Sequence, residues 1–259
     1  MTDTWLSIIT VVKDDYPGFV QTLESITQQN LTGVELCVVD SSIDSDAIKD
    51  ALSSSTAIAH SYEWVEPIGI YPAMNTGVGQ ANGEYVYFLN AGDLLASADV
   101  LERLHKSTRD ASPSWVFGPV RIVSVDGSSV ITPAWDYAKE KSALFSRGLF
   151  PPHQGTLARR ELLEQIGGFD TSYRIAADYA AFLRLSQLAD PLIVDYVIAE
   201  FFEGGVSSVN WQESFREFHR ARRSILQPTG TAALREQFET RVHFAKVFAY
   251  KELILRARR

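Results

Sequence analysis

Two apolar runs near the start of the chain constrain its fold more than any other feature. Residues 6–12 read LSIITVV and residues 34–39 read VELCVV, and both runs are rich in β-branched side chains. Strands that are apolar on both faces need cover on both faces, as in a parallel sheet between two layers of helices. Segments with helical spacing separate the predicted strands, so the sequence predicts an α/β fold with a mostly parallel sheet.

The predicted elements alternate between strand and helix up to about residue 110. Strands are predicted over 6–12, 34–39, 59–65 and 84–89, and helices over 19–29, 46–53, 72–81 and 98–107. Further strands are predicted over 115–125, 129–133, 154–158 and 192–202, and further helices over 160–166 and 177–189. Two helices over 211–226 and 231–258 form a C-terminal tail, and 134–150, which has no clear period, is predicted to be a loop.

The composition excludes several classes of protein. With 259 residues, 46% of them hydrophobic, the chain can bury a full core and is not disordered. The single cysteine, Cys37, excludes internal disulfides and cysteine-rich zinc sites, and its apolar neighbours predict that it is buried. The net charge of −8 argues against nucleic acid as the main partner. An N-terminus without a basic start, and no run of about 18 apolar residues, predict a cytoplasmic protein.

The predicted tail differs in charge from the rest of the chain. Residues 211–259 contain eleven Lys and Arg against five Asp and Glu, on helices that also carry apolar side chains. A basic amphipathic helix can lie in a membrane interface, which predicts peripheral contact with the inner face of a membrane. Apolar helix faces also pack against the body of a protein or against a second subunit, and a homodimer is the corresponding alternative.

Acidic residues stand where two predicted strands end. Asp40 follows the strand over 34–39, and Asp93 follows the strand over 84–89 after a three-residue turn. In an open α/β sheet these ends meet at one crevice, so the two carboxylates are expected to lie near each other. Asp93 either ligates a divalent cation such as Mg²⁺ or Mn²⁺, or only caps the next helix. Ser97 is the other candidate for that cap. Asp40 either accepts from a ribose or base, or forms an Asx turn.

Glycines at positions 77, 79 and 83 superficially suggest a dinucleotide-binding motif. Their spacing is wrong, and they precede a predicted strand instead of following one. A helix end and a turn are the preferred interpretation. The sequence also has no GxxxxGK[ST] phosphate-binding loop and no GxSxG nucleophile elbow.

Four segments together carry a resemblance to a known family. In chain order they read SIITVVKDD, VELCVVDSSIDSD, GIYPAMNTGVGQANGEYVYFLNAGD and PPHQGTLARRELLEQIGGFDTSYRIAADYAAFLRL. The ordered set resembles family 2 glycosyltransferases of the GT-A fold, which build bacterial polysaccharides and glycolipids, over roughly residues 5 to 205. The resemblance implies a nucleotide-sugar-binding half over 1–110 and an acceptor-binding, catalytic half of the same domain over 111–210. The basic tail over 211–259 follows them.

The resemblance also implies a role for each matching residue. Those implied to contact the nucleotide and donor sugar are Thr10, Val11, Val12, Asp40, Tyr71, Met74, Asn75, Asn90, Ala91 and Gly92. Asp93 matches the last aspartate of the metal-binding DxD triplet, and it is the only carboxylate of that triplet that remains. His153 and Gln154 match a pair near the acceptor and diphosphate, and Asp178 matches the catalytic base. From position alone, His153 could instead be a packed core histidine and Asp178 a helix N-cap.

The implied activity is inverting transfer of a hexosyl or deoxyhexosyl group from a UDP-, GDP- or dTDP-linked donor. The acceptor would be a saccharide or a lipid-linked molecule, and Mn²⁺ or Mg²⁺ would assist. Inverting transfer needs a base within about 3 Å of the acceptor hydroxyl, and a carboxylate is sufficient. A sugar nucleotidyltransferase and a non-catalytic nucleotide-binding module are the alternatives.

Three residues depart from the usual pattern of the family. Ile68, Pro72 and Thr76 stand where two acidic residues and a lysine are common. Lost acids weaken contacts to sugar hydroxyls, and a lost lysine weakens a phosphate contact. We therefore expect an unusual donor sugar, such as a deoxysugar with fewer hydroxyl groups, or weak activity.

Overall fold

The computed structural model describes residues 4–55, 57–134, 137–202 and 210–257. The strands are β1 Leu6–Val12, β2 Val34–Asp40, β3 Ala59–Trp64, β4 Tyr85–Phe88, β5 Leu94–Leu95, β6 Trp115–Phe117, β7 Val120–Val123, β8 Ser129–Ile131, β9 Thr156–Arg159, β10 Leu192–Ile193 and β11 Ala199–Phe202. The helices are α1 Tyr16–Thr27, α2 Ser45–Ser54, α3 Ile70–Gln80, α4 Val100–Ala111, α5 Tyr137–Ser146, α6 Arg160–Gln165, α7 Ala177–Leu188, α8 Trp211–Leu226 and α9 Gly230–Ala257, with a short 3-10 helix at His153–Gly155.

The main sheet has the strand order β10-β6-β9-β4-β1-β2-β3. β1 pairs in parallel with both β2 and β4, and β2 pairs in parallel with β3. β9 runs antiparallel between β4 and β6. The predicted α/β fold with a mostly parallel sheet is confirmed. The sheet continues across residue 110, so the two predicted halves of the domain share it.

A second sheet, with the order β5-β11-β7-β8, corrects two predicted strands. The strand predicted over 115–125 is divided into β6 and β7, and the one over 192–202 is divided into β10 and β11. β6 and β10 belong to the main sheet, and β7 and β11 belong to the second sheet. Both change sheet at the same place, where Val194 N donates to Phe117 O and Ile198 N donates to Pro119 O, each at 2.9 Å. The hairpin predicted at Asp126 and Gly127 joins β7 to β8.

Burial on both sides of the main sheet explains the apolar runs. Along β1, Leu6 and Ile8 belong to one apolar core, whereas Ile9 and Val11 belong to the core on the other side. Cys37 is buried as predicted, and burial raises the pKa of its thiol to about 11. A Cβ at Gly77 would lie only 2.4 Å from Ile9 Cγ2, so this glycine lets α3 pack closely on β1. That contact supports a structural role for the glycine.

The prediction of a loop over 134–150 is wrong in part, because α5 occupies 137–146. The ring of Tyr137 is fully buried and lies edge-on to Trp115, with 5.4 Å between centroids. Phe145 is also buried and lies edge-on to Tyr179 at 5.4 Å. These partners are distant in sequence, so the helix depends on tertiary packing that a weak local pattern does not reveal.

The tail begins with a helix that packs against the body. The Phe218 ring of α8 lies 4.5 Å from the Tyr179 ring of α7. Arg222 is buried and donates to Phe145 O at 3.1 Å, to Tyr179 Oη at 3.2 Å and to a carboxylate oxygen of Glu236 in α9 at 3.0 Å. The sequence left the tail three arrangements, at a membrane, on the body or on a second subunit, and α8 packs on the body. Among the helices of the described ranges, none is long and apolar enough to cross a membrane.

Candidate active site at the carboxyl edge of the main sheet

The loop after β4 is held close to the end of β1. Ala91 N donates to Val11 O at 3.1 Å, and Asp93 N donates to Asn90 O at 2.9 Å. From α1, the Thr22 hydroxyl accepts from Gly92 N at 3.0 Å. The φ angle of Gly92 is +90°, in the left-handed region that favours glycine, and it turns the chain back so that Asp93 faces inward. This loop therefore presents Asn90 and Asp93 at one fixed place.

Asp93 is a buried carboxylate in this loop, with 8% of its surface exposed. Burial raises its pKa to about 6, whereas the nearby His153 ring and a hydrogen bond from the Gln154 side chain act in the opposite direction. The alternative that Asp93 or Ser97 caps the next helix is wrong, because the N-cap of α4 is Asp99. Asp93 is thus free of a capping role, and it lies beside the pair His153–Gln154.

His153 connects the loop after β4 to the start of α7. Asn90 Nδ2 lies 3.2 Å from His153 Nε2, and His153 Nδ1 lies 3.7 Å from Asp178 Oδ2. An amide nitrogen only donates, so in this arrangement Nε2 accepts and Nδ1 carries the proton that faces Asp178. The histidine predicted to contact the acceptor or diphosphate therefore stands between the two candidate acidic residues.

Asp178 lies in the first turn of α7. Its Oδ1 accepts from the Tyr71 hydroxyl at 3.1 Å and from Tyr179 N at 2.7 Å. Its Oδ2 faces His153. The N-cap of α7 is Ala176, so the alternative that Asp178 is the N-cap is wrong.

Two of the predicted donor-contacting residues, Tyr71 and Asn75, hold α3 to the segment around the start of α7. The single proton of the Tyr71 hydroxyl is shared between Asp178 Oδ1 and Ile175 O, which lies closer, at 2.6 Å. Asn75 Nδ2 donates to Phe169 O at 2.8 Å, and Asn75 Oδ1 accepts from Phe169 N at 2.9 Å. Met74 is fully buried in the core. Contact of these three residues with a donor stays a prediction, and in this structure their polar atoms tie α3 to the segment that precedes α7.

The residues predicted to surround the base are largely buried. The Thr10 hydroxyl donates to Leu89 O at 2.8 Å, and Val11 and Val12 lie in the core. Asp40 is fully buried; its Oδ1 accepts from Ser42 N at 2.7 Å and its Oδ2 from the Tyr62 hydroxyl at 2.8 Å. The Asx-turn alternative for Asp40 therefore describes its hydrogen bonding, and its role toward a base or ribose stays a prediction.

Sequence reasoning missed an aromatic residue beside Asp40. Trp64 is the last residue of β3 and lies opposite Asp40 in the β2–β3 register. Its indole donates to Ser42 O at 3.0 Å, which fixes the ring, yet the residue remains 44% exposed. An exposed, oriented indole at a strand end is well suited to contact a planar base. The available signal was an aromatic residue at the end of the predicted strand 59–65.

The structure brings one subset of the predicted site residues together. Ala91 and Gly92 lie in the loop that carries part of this subset, and the other predicted residues lie in the core or on α3. The residues brought together are Asn90, Asp93, His153, Gln154 and Asp178. Loop 90–93 and the His153 pair come from opposite sides of residue 110. The site therefore exists only because β9 inserts next to β4 in the main sheet.

The loop after β4 offers oxygen ligands to a divalent cation. Within the described residues, no group of three or more His, Cys, Asp or Glu side chains could hold a metal ion. Asp93 supplies one carboxylate. Asn90 Oδ1 is a buried acceptor, and it has no hydrogen-bond partner among the residues that the structure describes. One or two hard oxygen ligands, completed by phosphate oxygens and water, are typical of Mg²⁺ beside a phosphorylated substrate. The loop therefore fits a cation that binds together with a diphosphate.

Comparison with known proteins gives several related sequences, including the following two. An uncharacterized glycosyltransferase of Mycobacterium tuberculosis is 29% identical over 208 residues, which cover 78% of this chain and 77% of the relative. A PGL/p-HBAD biosynthesis glycosyltransferase of Mycobacterium bovis is 32% identical over 154 residues, which cover 57% of this chain and 56% of that relative.

Solved structures show the same fold at low sequence identity. Staphylococcus aureus TarS 1–349 in complex with UDP superposes with a TM-score of 0.66 and 16% identity over 85% of this chain. This chain covers 66% of that TarS chain, slightly less than two thirds of its length. The mannosyltransferase PcManGT from Pyrobaculum calidifontis in complex with GDP-Man and Mn²⁺ gives a TM-score of 0.63 and 20% identity over 95% of this chain.

The family model described as "Glycosyl transferase family 2" matches residues 7–167, which is more than half of the chain. The matched residues include all of β1 except its first residue, the whole of β2, β3 and β4, the loop that carries Asp93 and the pair His153–Gln154. The structural neighbours are GT-A glycosyltransferases, and the mostly parallel sheet between helices agrees with them. The resemblance inferred from the four sequence segments is confirmed: this chain belongs to glycosyl transferase family 2 and has the GT-A fold.

Proposed function

We propose that this glycosyltransferase is an inverting enzyme in which Asp178 is the general base. The observation that carries the proposal is the asymmetric environment of its carboxylate. Oδ1 is held by the Tyr71 hydroxyl and Tyr179 N, whereas in the described chain Oδ2 has only the longer 3.7 Å contact to His153. A base needs one oxygen that is fixed by the protein and one that remains open to the acceptor hydroxyl.

In this mechanism Asp178 accepts the proton of the acceptor hydroxyl while that oxygen attacks the anomeric carbon of the donor sugar. The bond between the anomeric carbon and the diphosphate breaks on the opposite face, so the configuration is inverted. Tyr71 and the backbone N–H of Tyr179 keep the carboxylate oriented through its Oδ1. His153 presents its Nδ1–H toward Oδ2 of the base at 3.7 Å.

The loop after β4 is proposed as the diphosphate side of the reaction. Asp93 and Asn90 would hold Mn²⁺ or Mg²⁺, and such an ion, when bound, supplies positive charge for the departing diphosphate. Gln154, which hydrogen-bonds Asp93, would orient that carboxylate. The neighbour solved with GDP-Man and Mn²⁺ supports a cation of this kind.

The donor is proposed to be a hexose or deoxyhexose linked to UDP, GDP or dTDP, and the acceptor a saccharide or lipid-linked molecule. Neighbours solved with UDP, with UDP-GlcNAc and with GDP-Man support a nucleotide-sugar donor. The edge that carries Trp64 is the proposed side for the base. Ile68, in the turn before α3, is 78% exposed where relatives often have an acid, which favours a sugar with fewer hydroxyl groups.

A donor screen tests this proposal. The purified protein is heated with UDP-, GDP- and dTDP-sugars, each with Mn²⁺ or with EDTA, and nucleotide diphosphate release is then followed with the stabilising donor. At about 100 times Kd the matching donor should raise the thermal midpoint by about 5 °C or more, and only with Mn²⁺.

Nucleoside monophosphates are the control for binding that does not involve the diphosphate. Stabilisation without turnover on any acceptor tested would favour the non-catalytic module. Formation of nucleotide sugar from a nucleoside triphosphate and a sugar 1-phosphate would favour the nucleotidyltransferase. Absence of stabilisation by every nucleotide tested would contradict the donor site itself.

The face of α9 that carries Leu234 and Phe238 is proposed to contact an anionic membrane surface. Leu234 and Phe238 are 69% and 68% exposed, one turn apart, and basic Arg235, Arg241 and Lys246 lie exposed along the same helix. Apolar side chains flanked by basic ones suit the boundary of an anionic bilayer. A bilayer in this position would bring a lipid-linked acceptor to the enzyme.

Co-sedimentation with phosphatidylserine vesicles tests the membrane contact. We expect binding at low ionic strength that weakens at high salt, and loss of binding in the double variant Leu234→Glu/Phe238→Glu. Vesicles of neutral lipid are the control. An absence of binding at both salt concentrations would remove the membrane proposal, and a dimer detected by light scattering that the double variant disrupts would assign the face to a second copy.

A further inference from the structure

We propose that Glu217, in the tail helix α8, is a positioning residue for Asp178. This inference rests on the proposed function, because it takes Asp178 as the base. It makes the start of the tail a part of the catalytic half, although the tail lies outside the residues that match the family model.

The Glu217 carboxylate receives three successive backbone N–H groups. Oε1 accepts from Arg174 N at 3.0 Å, and Oε2 accepts from Ile175 N and from Ala176 N, each at 2.9 Å. The Glu217 side chain is only 12% exposed, so these bonds are largely shielded from solvent. Asp178 follows two residues after this segment.

A helix start normally needs such a partner, because its first N–H groups have no acceptor within the helix. The N-cap of α7 is Ala176, whose side chain cannot accept a hydrogen bond. From another helix, Glu217 accepts from the N–H of this N-cap residue and from the N–H groups of the two residues before it, and its carboxylate charge strengthens each bond. The start of α7 is therefore defined by a residue about forty positions further along the chain.

The fixed segment is connected directly to the base. Ile175, whose N–H is held by Glu217, accepts through its carbonyl from the Tyr71 hydroxyl at 2.6 Å. The same hydroxyl lies 3.1 Å from Asp178 Oδ1. A shift of this segment would move both the backbone that carries Asp178 and the hydroxyl that orients it.

A second side chain of α8 holds the loop before this segment. Arg220 donates to Ser172 O at 2.6 Å, and its guanidinium lies 4.2 Å from the centre of the Tyr173 ring. These contacts keep α8 in place when Glu217 alone is changed. Loss of the Glu217 carboxylate should therefore disturb the geometry before α7 more than it disturbs the docking of α8.

The test compares Glu217→Gln, Glu217→Ala and Glu217→Asp with Glu213→Gln, an exposed glutamate one turn earlier on the same helix. Because a displacement of about 1 Å can cost about 100-fold in rate, we expect kcat to fall about tenfold in the glutamine variant and about 100-fold in the alanine variant. KM for the donor should stay within about twofold, since the proposed contacts to the diphosphate and the base lie at loop 90–93 and at the edge that carries Trp64. Glu217→Asp, which keeps a carboxylate, should retain more kcat than Glu217→Gln, and Glu213→Gln should match the wild type.

Two results would overturn the inference. One is a wild-type kcat in Glu217→Gln, and the other is a loss of rate that parallels a loss of nucleotide-binding stoichiometry, since that would show unfolding instead of misplacement. Asp178→Asn measured alongside separates the two proposals. If Asp178→Asn retains turnover, the proposed function fails; if it is inactive while Glu217→Gln is normal, only the positioning role fails.

Discussion

Asp178→Asn is expected to lower kcat by about 10² to 10⁴-fold while nucleotide binding stays close to that of the wild type. An amide has the shape of the carboxylate and can keep the hydrogen bond from the Tyr71 hydroxyl, but it cannot take a proton from an acceptor. The nucleotide is proposed to bind at the ends of β1 to β3 and at loop 90–93, so its affinity should not depend on this side chain.

The measurement combines a transfer assay with calorimetric titration of the nucleotide diphosphate. Asp190→Asn is the matched control, because Asp190 follows the same helix and forms a partly exposed ion pair with Lys141 at 2.7 Å. That variant should keep its turnover, since exposed ion pairs contribute little to stability. Near-normal turnover in Asp178→Asn would show that another group is the base, and a large loss of nucleotide affinity would place Asp178 on the donor side.

Asp93→Ala is expected to remove the contribution of Mn²⁺ to nucleotide diphosphate binding. The wild type should bind the diphosphate more tightly with Mn²⁺ than with EDTA. The affinity measured with Mn²⁺ should be at least about tenfold lower in the variant than in the wild type, since even the partners of metal ligands contribute this much. Binding measured in EDTA should change little. The thermal midpoint without metal should not fall greatly, because burial of a carboxylate is itself unfavourable and already raises the pKa of Asp93 to about 6.

Titration calorimetry with UDP or GDP, with and without Mn²⁺, provides the test. Asp99→Ala is a suitable control, because Asp99 is a more exposed aspartate at the next helix start and its side chain makes no capping hydrogen bond. If Asp93→Ala shows the same dependence on Mn²⁺ as the wild type, Asp93 is not the metal ligand. The proposed assistance by a cation would then have to come from other residues.

The fold could be predicted from the sequence wherever a strand is apolar on both faces. β1 and β2 were predicted within one residue at their ends, because each of their apolar side chains faces one of two cores. Prediction failed where an element depends on distant partners. α5 is held by Trp115 and Tyr179, and the strand predicted over 115–125 divides between two sheets at Gly118 and Pro119. No local pattern in either segment carries that information.

The candidate site shows the same division in its individual residues. Asp93 and Asp178 could be proposed from the sequence, Asp93 because a carboxylate after a buried strand is a local feature and Asp178 because its segment resembles the family. The functions of Tyr71 and Asn75 could not be found in this way. Their polar atoms bond to Asp178 and to the backbone of Ile175 and Phe169, which lie about a hundred positions away in the chain.

The sequence by itself determined the parallel sheet, the family and the chemical types at the site, because apolar periodicity and ordered motifs are written along the chain. Only the tertiary structure decided which groups meet. The insertion of β9 beside β4 brings His153 between Asn90 and Asp178, and the docking of α8 brings Glu217 to the start of α7. Hydrogen bonds act over about 3 Å, so such contacts depend on how the elements pack and leave no pattern in the sequence.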